Sequence, residues 1–284
     1  MFKVFGFVKK NSNLSHDDYR AAHVGYHNSF GRRLKNIRGY ILNVRSNKGL
    51  FIDIKNSKII KKITLNEPKN FDSQWNGFGQ LMFDDYDDYI KAKQSTLDKA
   101  GPRGLEYDEM VAKVGDDFNY LYSGSPFQFN VDETVILPVM RPENKLFKIV
   151  QFIKKKDQLN PLLYNSYLKG KYCPMFADIN GLKGLIINHR TSLDVMTNFF
   201  KSDADCFSID GIKRRKKFYG YWDTIIEYWF LNSDNFFKDR FEKNLLINSC
   251  DFEDKYFKIS FYREVDETLA VMPKRNIAPK FYHR

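Results

Sequence analysis

The chain has 284 residues, 43% of them hydrophobic and 16% aromatic, with 26 Phe and 17 Tyr and a formal net charge of +11. This composition excludes a disordered chain and leaves room for two compact domains, each with a core. The basic excess is interspersed with 35 acidic residues and by itself names no partner.

Residues Phe2 to Lys10 alternate, with Phe2, Val4 and Val8 on one side and Phe5 and Phe7 on the other, which predicts a strand apolar on both faces. Asn11-Ser12-Asn13 breaks it. Ser15, followed by Asp18 three positions on, resembles a capping box and opens a helix expected over about His16 to Leu34. On that helix Tyr19, His23, Tyr26, His27 and Phe30 recur at three- and four-residue spacings, so one face carries both imidazoles towards the sheet. Gly39 to Val44 reads as a second strand. Leu50 to Leu65 reads as an extra hairpin about Asn56-Ser57, and Trp75 to Phe83 as a third strand. Asp84 to Leu97 reads as a second helix with Tyr86, Tyr89 and Ile90 inward. A last strand near Glu133 to Leu137 completes the order β-α-β-β-α-β.

Pro138 to Asn144 has the prolines and charges of a linker, and beyond it the chain repeats itself. An offset of 145 positions sets Phe2 to Lys10 on Phe147 to Lys155, and pairs Tyr19 with Tyr164, Gly39 with Gly184 and Asn43 with Asn188 without a gap. The third strand recurs as Trp222 to Phe230 at an offset of 147, and Val131-Asp132-Glu133-Thr134 recurs as Val265-Asp266-Glu267-Thr268. One register held through strand, helix and strand predicts a tandem duplication. In the second copy Asn160 caps a helix that starts on Pro161. Its inward face presents Tyr164, Tyr167, Leu168, Tyr172 and Met175, with Tyr172 in the place of His27. Lys213 to Lys217 is expected on a solvated surface loop, since no nucleic-acid module surrounds it. The expected organisation is a domain over 1–138, a linker over 139–146, a second domain over 147–275 and an exposed tail from Asn276 to Arg284.

On Phe5 to Lys10, Leu14-Ser15, Tyr19, His27, Arg38 to Asn43 and Trp75 to Phe83, the first copy resembles the EthD family of the dimeric α+β barrel superfamily. That family's helix reads roughly aromatic, seven residues, His, here Tyr19 to His27, followed by a Gly or Pro step and a Tyr-bearing strand, here Tyr40. Its third strand commonly carries a Glu, found here as Glu227 in the second copy and replaced by Gln80 in the first. The resemblance implies an α+β fold, in which two tandem ferredoxin-like domains pack sheet to sheet as one intramolecular barrel. It also implies tailoring of an aromatic or polyketide-like compound by dehydration, decarboxylation, cyclisation or cofactor-independent oxygenation.

A helix-borne imidazole facing an aromatic-lined sheet suits proton transfer near neutral pH, which makes His27 the expected acid/base. Tyr19, His23, Tyr40, Trp75, Phe78 and Trp229 are expected to line the ligand sites. Glu227, flanked by Ile225, Ile226 and Trp229, is expected to be a buried carboxylate with a raised pKa, hence a second proton carrier. Tyr172 can donate a hydrogen bond but is a poor base, with an ordinary pKa of about 10. Each copy then holds one polar pair, His27 with Gln80 and Tyr172 with Glu227. His23 and His27 have the i, i+4 spacing of metal ligands, but no third ligand follows, so no metal is expected. Haem, which related barrels bind, is the alternative cofactor. The rival function is a non-catalytic binding or assembly protein with degenerate pockets. The expected partner is a small aromatic ligand, and the two-repeat chain could itself form a homodimer. Cys173, Cys206 and Cys250 form no even framework, and no run approaches the roughly 20 apolar residues of a membrane span, so a cytoplasmic location is expected.

Overall fold

The computed structural model describes residues 1–32, 34–47, 54–97, 121–124, 126–142, 144–197, 202 and 204–273. Eight antiparallel strands close into one barrel in the order β1-β3-β2-β8-β5-β7-β6-β4. They are β1 Phe2–Val8, β2 Gly39–Arg45, β3 Gly77–Phe83 and β4 Phe127–Leu137, then β5 Phe147–Lys155, β6 Leu182–Arg190, β7 Thr224–Phe230 and β8 Phe257–Val271. Each half contributes four adjacent strands in the same internal order, last, first, third, second. The halves are joined where β2 pairs with β8 and β4 pairs with β6. Closure leaves no free sheet edge, and it seals the seam between the halves with backbone hydrogen bonds.

Helices cover the outside. The first, α1, begins as His16–Ala21, passes through a π-helical segment Ala22–His27 and ends with Asn28–Gly31. Ser15 caps it by accepting the Asp18 N–H at 3.0 Å, as the capping-box spacing predicts. Its counterpart α4 runs from Pro161–Tyr167 through a second π-helical segment, Leu168–Tyr172, to a short turn Pro174–Ala177. Asn160 caps α4 through the Leu162 N–H at 2.8 Å.

Two connections differ from the sequence expectation. The hairpin expected over Leu50 to Leu65 is instead a helix from residue 54, α2 Ile54–Lys62, its first residues lying outside the described ones. Ile60 and Ile63, three positions apart, bury themselves in the carboxy-terminal core while Lys58, Lys61 and Lys62 stay exposed. A period of three to four residues, and not of two, therefore decides the structure. The basic run Lys213 to Lys217 lies on a helix, α5 Ile209–Tyr219, and not on a loop. Its Lys216 and Lys217 stand at the negative end of the helix dipole, and its Phe218 is buried inside the barrel. In α3, Tyr86–Leu97, Tyr89 is buried as expected, but Tyr86 is 38% exposed and packs at the rim against Phe2 and Tyr89. The last helices are α6 Ser233–Arg240 and α7 Lys243–Tyr256. The expected tail from Asn276 lies outside the described residues.

Strand alternation sorts the core into an interior and an outer layer. Phe5, Phe7, Phe78, Val150, Phe152 and Ile225 point into the barrel with Trp75 and Trp222. One end is plugged by Phe71 and Phe218, stacked at 5.3 Å and 8°. These two residues come from the connections that lead into β3 and β7, so each half stoppers the shared interior. Outside the sheet, the carboxy-terminal half has one continuous cluster, whereas the amino-terminal half has two separate smaller ones. Among the described residues no helix is long and apolar enough to cross a membrane.

Candidate functional site

Between α1 and the outer face of β1, β2 and β3, the helix presents a ladder of parallel rings. Tyr19 stacks on His23 at 5.3 Å and 15°, and His23 on His27 at 5.5 Å and 9°. The wider π-helical turn brings residues four apart nearly into line, and such turns recur at functional sites. His23 is buried, and its Nδ1 lies 2.6 Å from the Tyr122 hydroxyl. Burial, and then the neighbouring His27, hold His23 well below the ordinary imidazole range, so it is neutral at physiological pH. Burial keeps Tyr19, Tyr40 and Tyr122 protonated, with Tyr40 adding to the effect at the other two. Those hydroxyls therefore gather in one place. His27 is half-buried and meets the Tyr122 ring edge-on at 5.6 Å.

Opposite the ladder two neighbouring strands carry glycines in the middle row of the sheet. There Gln128, Gly6, Gly79 and Leu42 lie side by side across four strands. Gly6 and Gly79 are partly accessible although their neighbours Phe5, Phe7, Phe78 and Gln80 are buried. Two buried polar atoms around this patch, His23 Nε2 and Gln128 Oε1, have no hydrogen-bond partner among the described residues, and neither has the Tyr19 hydroxyl. Leaving a buried polar atom unpaired costs about 1–3 kcal/mol, and the carboxy-terminal layer also holds such atoms, the Tyr262 hydroxyl and Arg240 Nε and Nη1, so what sets this layer apart is the pair of accessible glycines.

Gln80 and Glu227 are elsewhere. They sit on the interior side of the sheet and meet each other, with Gln80 Nε2 donating to Glu227 Oε2 at 2.6 Å. The expectation that Gln80 shares a pocket with His27, and Glu227 with Tyr172, is corrected by this geometry, because the sheet stands between the members of each pair. Lys148 reaches Glu227 at 2.6 Å and Lys3 reaches it at 3.3 Å, all three side chains being fully buried. Asn188 donates to Glu227 at 2.9 Å, Lys3 also binds Glu133 at 2.7 Å, and Lys148 binds Glu267 at 2.8 Å. Burial alone would raise the Glu227 pKa, but the two ammonium groups and the hydrogen bonds hold it well below the usual carboxylate range. The raised pKa expected for Glu227 is therefore also corrected, and the group is a fixed anion and not a proton carrier.

The other expected lining residues divide between the two layers. Tyr19, His23 and Tyr40 come together with His27. Trp75 and Phe78 belong to the barrel interior. Trp229 lies at its polar end, under the Lys148 ammonium at 4.4 Å and donating to Glu267 at 3.0 Å. Tyr172 is fully buried beneath α4, donating to Glu253 Oε1 at 2.5 Å and accepting from Gln151 Nε2 at 2.9 Å. Tyr122 and Gln128 escaped the sequence reading. Gln128 lies just before the expected strand start and Tyr122 in a stretch without periodicity, so only their partners across the sheet reveal them. Among the described residues no three His, Cys, Asp or Glu side chains gather as a metal site requires.

No protein-family profile and no curated protein matches the chain in sequence. Among solved structures it is similar to a putative monooxygenase from Fusobacterium nucleatum subsp. nucleatum, 9% identical with a TM-score of 0.53, over 94% of this chain and 92% of that one. It is also similar to an anthrone oxidase-like protein, 6% identical with a TM-score of 0.52, over 97% of this chain and 96% of that one. At such identities the likeness is one of fold, an α+β barrel shared over nearly the full length of each chain.

Proposed function

We propose that the chain is a tandemly duplicated EthD-type barrel, with ferredoxin-like domains over 1–138 and 147–275, acting as a small-molecule tailoring enzyme through His27. The observation that carries this is the ring ladder that includes a half-buried imidazole, on the side of the sheet where Gly6 and Gly79 are partly accessible. The names of the two structural neighbours, a putative monooxygenase and an anthrone oxidase-like protein, agree with it as analogy.

The chemistry starts with a proton. His27 removes one from an acidic C–H or O–H of an aromatic substrate, and the resulting anion decarboxylates, eliminates, cyclises or meets dioxygen. Because His23 is neutral, its ring, stacked at 5.5 Å, does not oppose a charge gained by His27. Tyr122 fixes the orientation of His23 through Nδ1, and so fixes the ladder. For an anthrone the oxygenation balances without a cofactor: anthrone and dioxygen give anthraquinone and water.

The test is oxygen uptake and quinone formation by the purified chain with anthrone under air, beside a His27→Gln variant. The expected loss in the variant is about 10²–10⁴-fold. Equal rates for the two proteins would remove His27 from the chemistry, and a wild-type rate no greater than the buffer rate would remove the oxygenation.

A further inference from the structure

The middle sheet row differs between the halves where their backbones agree. Gly6 pairs with Gly79 on one side and Gln128 on the other; Gln151 pairs with Ile226 and Tyr262 in the same register. Gln151 and Ile226 are fully buried, whereas Gly6 and Gly79 are partly accessible. Glycine in the interior of a strand weakens it and marks a place where something approaches the sheet closely. Among the described residues no backbone does so: there a Cβ at Gly6 would meet the Gln128 side chain, 3.5 Å away, and a Cβ at Gly79 the Tyr40 ring at 3.4 Å. Gln128 is 4% exposed, its amide overhangs Gly6, and its Oε1 has no partner among the described residues.

We infer that Gly6 and Gly79 are the floor of the ligand site and that Gln128 is its polar anchor, selecting a flat ring with a hydroxyl group at its edge. This rests on the proposed helix-side site and adds the residues that choose its ligand. The carboxy-terminal half supplies the template. There α4 places the Tyr172 phenol in the same layer, its hydroxyl held by Gln151 and Glu253. That half fills with its own phenol the space that the amino-terminal half keeps for a ligand. A hydroxyl satisfies Gln128 from either end of the amide, since it both donates and accepts. His23 Nε2 gives the same layer a second polar contact.

The probes are 2-naphthol and naphthalene, titrated by fluorescence against the whole chain. The wild type should bind 2-naphthol about tenfold more tightly than naphthalene, the worth of one hydrogen bond. Gln128→Leu should bind the two equally. Gly79→Ala should weaken both about tenfold while raising Tm by about 2 °C, because a new methyl group occupies the floor and leaves the unfolded chain fewer conformations than glycine does. Gly79→Ala that melts no lower than wild type and binds 2-naphthol as tightly would overturn the floor. A preference for naphthol that survives Gln128→Leu would overturn the anchor, and a wild type that binds neither probe would overturn both. Failure of the enzyme reading looks different: the wild type and His27→Gln then discriminate between the probes alike, and neither oxidises anthrone.

Discussion

In the amino-terminal half the helix lays Tyr19, His23 and His27 over a sheet row of Gln128, Gly6, Gly79 and Leu42. In the carboxy-terminal half it lays Tyr164, Leu168 and Tyr172 over Tyr262, Gln151, Ile226 and Ile187. The caps, the π-helical turns and the strand registers correspond; the contents of the layer do not. In the second half the Tyr172 and Tyr228 hydroxyls converge on Gln151, and Arg240 reaches Glu253 at 2.9 Å, all of them buried. Unpaired buried polar atoms occur in both layers among the described residues, at His23, Gln128 and Tyr19 in the first and at Tyr262 and Arg240 in the second. The difference lies in how the row is filled: Gln151, Ile226 and Tyr172 are fully buried in the second half, whereas Gly6 and Gly79 stay partly accessible in the first. One half is thus filled where the other is open, a division expected where function opposes stability.

The interior seam belongs to both halves, and breaking it should have the largest effect. Glu227→Gln leaves Lys3 and Lys148 buried with one carboxylate fewer, and should lower stability by about 3–5 kcal/mol in denaturant titration. The folded-state pKa of Glu227 is lowered, so its contribution is full above the unfolded carboxylate pKa and is lost as the pH falls through the folded one. Wild type and variant should therefore differ most at neutral pH and converge in acid. Gln80→Leu, which removes the neutral member of the same contact, should cost about 1–3 kcal/mol. If the order of the two is reversed, the seam is not held by Glu227.

Equivalent positions in the two layers give a sharper contrast. Tyr172→Leu strips Glu253 and Gln151 of a buried hydrogen bond and should cost about 2–4 kcal/mol. His27→Leu, at the same point of the other helix, should change stability by less than about 1 kcal/mol, because a half-buried side chain loses little packing. Catalysis and stability should thus move in opposite places: turnover falls with His27, and the denaturation midpoint falls with Tyr172. Comparable destabilisation by both variants would mean that the halves are filled alike.

How much of this was legible in the sequence depends on which contacts write it. The strands, the caps at Ser15 and Asn160, and the correspondence of the halves were legible, because each rests on local periodicity or on identical residues at a fixed offset. The flanks Ile225, Ile226 and Trp229 even marked Glu227 as buried. That Gln80 and Glu227 face each other was not legible, since it follows from closure of the barrel, where strands far apart in the chain become neighbours. The pKa of Glu227 followed from the same gap: a flank of Ile and Trp predicts desolvation, but Lys3 and Lys148 approach from two other strands. Gly6 and Gly79 read as ordinary strand residues until Gln151 and Ile226 were found in their register. Ile60 and Ile63 were mistaken for strand residues because the core they enter belongs to the other half.

The smallest effect tests where the halves should agree. Gly25 and Gly170 stand at corresponding points of the two π-helical segments, and a Cβ at either would meet nothing within 4 Å. Glycine within a helix is less favourable than alanine by about 0.8–1 kcal/mol, because it has more backbone freedom to lose. Gly25→Ala and Gly170→Ala should each stabilise by about 0.5–1 kcal/mol, equally in thermal denaturation, and neither should alter naphthol binding. The layers differ in what lies between helix and sheet, whereas these two positions face away from it. A gain at Gly170 beside a loss of binding at Gly25 would show that the amino-terminal turn needs its glycine to carry His27 into place, and the difference between the halves would then extend from the side chains to the helix backbone.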